Sequence, residues 1–280
     1  MLYNQNMAVK TSRHNIKKDS ISAADYVNWG FIHIENKNYD EALKCFNFTT
    51  ELEPDNPQHF ITMGYIYEKI DMLDSAKKCY EKALKVKPDD IDAMLLIGHI
   101  FELQGDYHNA VSQYTKSIEV SPKAVEPHYC LAVLYDKHDM YDEAAEEYET
   151  LLEIDPKHTK ALHNLGRIHF QDGDYANALK YFQKVISLEP DNINALNDLG
   201  SVYEITKNYI QAISTYRRAL KVNPIHEETN FNLANAYFSL YLSNPRVVSI
   251  DSIIERLYAV LAQNPNNRKV RDLLNKIKSP

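Results

Sequence analysis

The chain has 280 residues, 11% of them aromatic and 25% charged, with a formal net charge of −8. The charge is uneven: residues 1–22 sum to +3 and residues 266–280 to +4, so 23–265 carries −15. An acidic body repels phosphates and disfavours nucleic-acid binding, while suiting neutral or basic protein partners.

Residues 1–22, with Lys10, Arg13, Lys17 and Lys18, show no apolar periodicity and read as a mobile basic tail. They contain no signal-peptide core, and no run of about 18 apolar residues occurs along the chain. Cys45, Cys79 and Cys130 are too few and too widely spaced for a disulfide framework or a zinc site. Reduced thiols and a cytoplasmic location are expected, with no cofactor and no metal.

From residue 23 the sequence acquires a beat. Pro54, Pro88, Pro122, Pro156, Pro190 and Pro224 stand 34 residues apart, which divides the chain into units 23–56, 57–90, 91–124, 125–158, 159–192 and 193–226. Each unit opens with apolar or small residues at its fourth, seventh, eighth and eleventh places, such as Met94, Ile97, Gly98 and Phe101, one face of a helix. A turn follows, clearest at Gly105 and Gly173. A bulky residue then starts a second helix at Tyr39, Leu73, Tyr107, Tyr141, Tyr175 and Tyr209. Three residues later comes Ala42, Ala76, Ala110, Ala144, Ala178 or Ala212, and four further on Phe46, Tyr80, Tyr114, Tyr148, Phe182 or Tyr216. An invariant small residue with an aromatic one turn later predicts close helix packing. The proline ends the second helix.

A seventh unit starts at Glu227 and keeps Leu233, Ala234 and Tyr237, but its proline arrives seven residues late at Pro265. About seven extra residues are therefore expected near 240–249, where Pro245 predicts a longer turn. Ile253, Ile254, Leu257, Val260 and Leu261 mark the second helix of that unit. A basic capping helix is expected within 266–280, with Val270, Leu273, Leu274 and Ile277 on its apolar face.

These positions resemble the tetratricopeptide repeat pattern W-x2-L-G-x2-Y, A-x3-F, P over residues 23–265. Trp29 departs from it by standing at the seventh place, and His33 and His169 replace the usual aromatic at the eleventh. The resemblance implies an all-α, right-handed α-solenoid superhelix whose first helices line a concave groove. It places the second, fifth, ninth and twelfth places of the first helix in that groove.

The fifth and ninth places are Val27 and Phe31, Ile61 and Tyr65, Leu95 and His99, Tyr129 and Val133, then His163 and Arg167. Glu68, Glu102, Asp136 and Glu204 form an acidic row at the twelfth place. The expected dock is thus an apolar floor over the first four units, rimmed by acid, for a protein or peptide segment with apolar anchors and basic flanks. The competing expectation is that these side chains pack against neighbouring helices. His33, His128, His163 and His169 are expected to be partly buried or to line the groove, not to bind metal. No pair of fifth and ninth places reads Lys and Asn, so a co-chaperone carboxylate clamp is not expected. Asn28, Asn164 and Asn232 at the sixth place form only an interrupted asparagine ladder, with Asp198 among the interruptions.

No phosphate-binding loop, G-x-S-x-G or H-E-x-x-H motif occurs, so no enzymatic activity is expected. The function implied is a non-catalytic interaction scaffold. The alternative is a chaperone or regulatory subunit that shields an aggregation-prone client.

Overall fold

The computed structural model describes residues 21–246 and 249–278. The expected mobile basic tail lies outside the described residues apart from Ile21 and Ser22, of which Ser22 caps the first helix. Fifteen helices and no strand occur among the described residues.

The first helices are α1 (Ala23–Glu35), α3 (Pro57–Lys69), α5 (Ile91–Leu103), α7 (Val125–Lys137), α9 (Thr159–Gln171), α11 (Ile193–Ile205) and α13 (Glu227–Ser243). Their partners are α2 (Tyr39–Leu52), α4 (Leu73–Val86), α6 (Tyr107–Val120), α8 (Tyr141–Ile154), α10 (Tyr175–Leu188), α12 (Tyr209–Val222) and α14 (Ile250–Gln263). The last helix is α15 (Arg268–Lys278). The helices from α1 to α6, and those from α8 to α15, each pack on their sequence neighbours. No described helix is long and apolar enough to cross a membrane.

Local chemistry sets the ends. Ser22 and Asp25 form a reciprocal capping box at α1. Asn56, Asp90, His158, Asn192 and His226 cap later first helices through their side chains. The second helices stop two residues before each proline. The intervening residue, from Glu53 to Asn223, adopts φ between −123° and −140°, the extended geometry that the proline ring imposes.

The turn inside each pair has a harder requirement. Its middle residue is left-handed in all six regular units: Lys37, Asp71, Asp139 and Lys207 with φ of 59° to 61°, and Gly105 and Gly173 at 73° and 78°. The left-handed residue lets two backbone N–H groups reach the last helical carbonyls, as where Lys207 N–H donates to Glu204 O at 2.9 Å and Asn208 N–H to Tyr203 O at 2.7 Å. Glycine suits that backbone; lysine is strained in it by about 1–2 kcal/mol. Lys207→Gly is therefore expected to stabilise the chain by about 0.5–1 kcal/mol, the remainder being lost to a freer unfolded chain. The thermal midpoint should rise by about 1–3 °C, with Lys207→Ala giving no gain. An equal rise for the alanine variant would remove the backbone explanation.

The chain divides into two compact units, 1–130 and 131–280, with the division inside α7. In the first, Ala42, Phe46, Met63, Ile66 and Cys79 form one buried cluster and Ala76, Tyr80, Ile97 and Ile100 another. In the second, Phe182, Val185, Leu196 and Val202 lie in one cluster and Tyr216, Leu233, Tyr237, Leu257 and Leu273 in the next. The repeated alanines from Ala42 to Ala212 are all fully buried, because a larger side chain would separate the two helices of a pair.

The late proline of the seventh unit has a divided cause. α13 has 17 residues where the other first helices have 13, and the stretch 244–249 has six residues where the other turns have three. Four of the seven extra residues thus lengthen the helix by a turn, beyond the longer loop that Pro245 implied. α15 buries Val270, Leu273 and Leu274 against Ile253, Leu257 and Val260, while Arg268, Lys269, Arg271 and Lys276 remain exposed.

Candidate functional site

The repeated places of the first helices fall into two environments. In the first unit, Val27, Ile61, Leu95 and Tyr129 are half-buried. Phe31 and Tyr65 are 49% and 44% exposed, and His99 is exposed. Phe31 sets an edge against Phe46 at 5.5 Å, and the Lys69 ammonium lies 4.8 Å from the Tyr65 ring centre. This is a strip of large side chains held on one flank and open on the other.

In the second unit the same places turn largely polar after Val133. Val133 and Asp136 are half-buried, and Arg167 Nη1 lies 3.7 Å from Asp136 Oδ2. His163 Nε2 is 2.8 Å from Asp198 Oδ2. Arg167 and Asp198 then line a hollow of about 350 Å³ with Phe170, Ser201, Glu228 and Asn232. Beneath it, buried Asn197 accepts hydrogen bonds from Thr229 Oγ1 at 3.0 Å and Asn232 Nδ2 at 3.1 Å. Ser201 is a ninth-place residue, whereas Asp198, Glu228 and Asn232 lie outside the fifth and ninth places. Asp198 interrupts the asparagine ladder, yet the run Asn164, Asp198, Asn232 at 34-residue spacing is the sequence signal for this polar strip.

The histidines are engaged in different ways. His128 is buried with Nε2 3.2 Å from Pro122 O. His169 stacks on Tyr181 at 5.4 Å, and Nδ1 of half-buried His33 is a buried atom without a hydrogen-bond partner in the structure.

The acidic row has a role that the groove expectation did not include. The Tyr80 hydroxyl donates to Glu68, the Tyr114 hydroxyl to Glu102 at 2.5 Å, and the Tyr216 hydroxyl to Glu204 at 3.1 Å. In each case the acceptor lies twelve residues before the donor, on the partner helix of the same pair. Burial, followed by the hydrogen bond to the glutamate, pushes the Tyr80 and Tyr114 hydroxyls above the usual range. Burial also raises the Glu204 carboxyl, while Tyr216 and Asn235 donors pull it back.

The pairing of residue types at these two places runs through every unit of the sequence. Where the second helix carries tyrosine, at Tyr80, Tyr114, Tyr148 and Tyr216, the twelfth place is Glu68, Glu102, Asp136 and Glu204. Where it carries Phe46, Phe182 or Leu257, the twelfth place is Ile34, Phe170 or Phe238. Glu68, Glu102 and Glu204 therefore supply acceptors for buried hydroxyls and keep further lone pairs for other donors.

Repeated helix pairs of this length, each with a small residue under an aromatic ring, define an α-solenoid repeat protein. Models of the tetratricopeptide repeat match residues 60–90, 103–168 and 158–224, together more than half of the chain. The chain belongs to the tetratricopeptide repeat family. A search of curated protein sequences returns no match. Among solved structures it is similar to the C-terminal part of a repeat-containing protein from Cytophaga hutchinsonii, with a TM-score of 0.69 and 17% identity over 88% of this chain and 98% of that one. A chain of the APC/C hetero-tetramer Cut9–Hcn1 matches with a TM-score of 0.62 and 19% identity, covering 98% of this chain and 52% of that one. YrrB, described as a repeat protein with an unusual peptide-binding site, matches with a TM-score of 0.54 and 20% identity, covering 66% and 95%. At these identities the likeness is one of fold.

Proposed function

We infer that the chain is a non-catalytic interaction scaffold that holds an extended segment of a protein partner against its first-helix face. The observation that carries this reading is the contrast inside each helix pair of the first unit. The second-helix rings of Phe46, Tyr80 and Tyr114 are almost completely buried, while Phe31 and Tyr65 of the first helices stay close to half exposed. Exposed aromatic side chains at one repeating place form a strip suited to apolar anchors. The lone pairs left on Glu68 and Glu102 suit basic flanks. The peptide-binding site named for YrrB is consistent with the same use of the fold.

The test is a labelled peptide with Leu and Phe anchors between Lys-rich flanks, titrated into the wild-type chain and into Phe31→Glu with Tyr65→Glu. Both residues are open on one side, so helix content should hold. Affinity is expected to fall by about tenfold or more. Unchanged affinity with a folded double variant would sink the reading.

A further inference from the structure

The sixth repeat pair departs from the others on its second helix. α12, YIQAISTYRRALKV, carries Arg217, Arg218 and Lys221 and, like α10, no acidic residue; it has the only arginines among the six regular second helices. Ile210 stands where four other second helices have Asp40, Asp74, Asp142 and Asp251, and it is 72% exposed. Arg217 stands where others have Asn47, Glu81, Thr115, Glu149 and Gln183. One helix has thus exchanged an acidic and neutral surface for a basic one with an exposed apolar side chain.

The lengthened α13 makes a cavity of that surface. Leu240 belongs to its additional turn, beyond the 13 residues of the other first helices. With Tyr237 it walls a hollow of about 630 Å³ whose other side is Ile210, Arg217, Arg218 and Lys221. The Arg217 guanidinium lies 5.7 Å from the Tyr237 ring centre and that of Arg256, from α14, lies 5.5 Å from the same ring. Two cations are therefore gathered on one aromatic side chain. Among the described residues, none of Arg217, Arg218, Lys221 and Arg256 forms an ion pair. Unneutralised like charges held close together favour an anion between them.

We propose that this cavity binds an acidic peptide segment that carries an apolar side chain beside its carboxylates. Arginine forks match carboxylates in two-point geometry, and Ile210 and Leu240 give the apolar side chain a surface to cover. The net charge of −8 repels such a segment from the rest of the molecule and steers it to this patch. The site is built by α12 and the end of α13, shares no residue with the fifth- and ninth-place strip, and takes the opposite charge.

The probe is a labelled peptide of Glu residues around a central Leu, titrated at low and physiological salt. Binding that weakens with salt is expected. Arg217→Glu with Arg218→Glu should abolish it, and Ile210→Asp should reduce it by about tenfold. The last variant installs the residue that four sister helices carry, so its fold is secure. The Phe31→Glu and Tyr65→Glu chain should bind this probe unchanged, which separates the result from the fate of the first-helix strip. The proposal is overturned if the peptide does not bind, or if inorganic phosphate or a DNA oligonucleotide displaces it at equal concentration while Ile210→Asp has no effect. It is equally overturned if the wild-type chain self-associates through this patch and excludes the probe.

Discussion

Tyr114→Ala is expected to destabilise the first unit by about 3–5 kcal/mol, the largest effect of any single truncation considered. The ring is 1% exposed and lies over Gly98 of the partner helix. A Cβ built on Gly98 would collide with the Tyr114 ring, so the two helices approach as closely as a glycine allows. Removing the ring leaves a cavity at the closest point of the pair and takes the hydroxyl donor from Glu102. Gly98→Ala alone should cost about 1–3 kcal/mol through overpacking. In the Tyr114→Ala background the same methyl enters the vacated space, so the two costs should not add. Because a stacked array need not unfold in one step, the readout is hydrogen exchange of α5 and α6 amides together with the urea midpoint. Additive losses would show that the glycine and the ring do not share the contact.

The second large effect is a coupling. Tyr80→Phe removes a buried hydroxyl and leaves Glu68 without that donor, at an expected cost of about 1–2 kcal/mol. Glu68→Ile leaves the Tyr80 hydroxyl without its acceptor, with a cost of about 1–3 kcal/mol. The two changes together recreate the apolar pairing seen at Ile34 with Phe46, and should cost much less than either alone. A double-mutant cycle on chemical denaturation would therefore show a favourable interaction of about 1–2 kcal/mol between tyrosine and glutamate. Near-zero coupling would mean that the half-exposed carboxylate takes water in place of the hydroxyl at no loss.

Those two pairs also mark how far the sequence could be read. Proline, the buried alanine and the buried aromatic recur because stacking forces the same steric solution on every unit, and that recurrence made the helix pairs legible. The seventh place was legible in the same way at Met63, Ile97, Leu131, Leu165, Leu199 and Leu233, all buried. Trp29 holds that place but is 44% exposed, because no described helix precedes α1 to cover it. The twelfth-place acids were visible as a row, yet their partners were not. A helical pattern places residues on a face, while the Tyr–Glu bond joins two helices and appears only when two columns of the repeat are compared. The polar hollow at Arg167 and Asp198 is not legible from the sixth-place asparagines, because Asp198 interrupts their ladder. The basic cavity was missed because the inserted turn shifts Leu240 out of phase with the repeat.

The pairing of residue types twelve apart has a consequence for recombination. Both members of each pair lie between successive prolines, so a crossover at a proline transfers them together. Chimeras cut at Pro88, Pro122 or Pro190 keep every hydroxyl with its carboxylate and every phenyl ring with its apolar neighbour. A crossover in the turn between the helices of a pair can place a tyrosine against Ile34 or Phe170, or a glutamate against a phenylalanine. Duplication and exchange of whole repeats are thereby tolerated at one junction per repeat and penalised at the other.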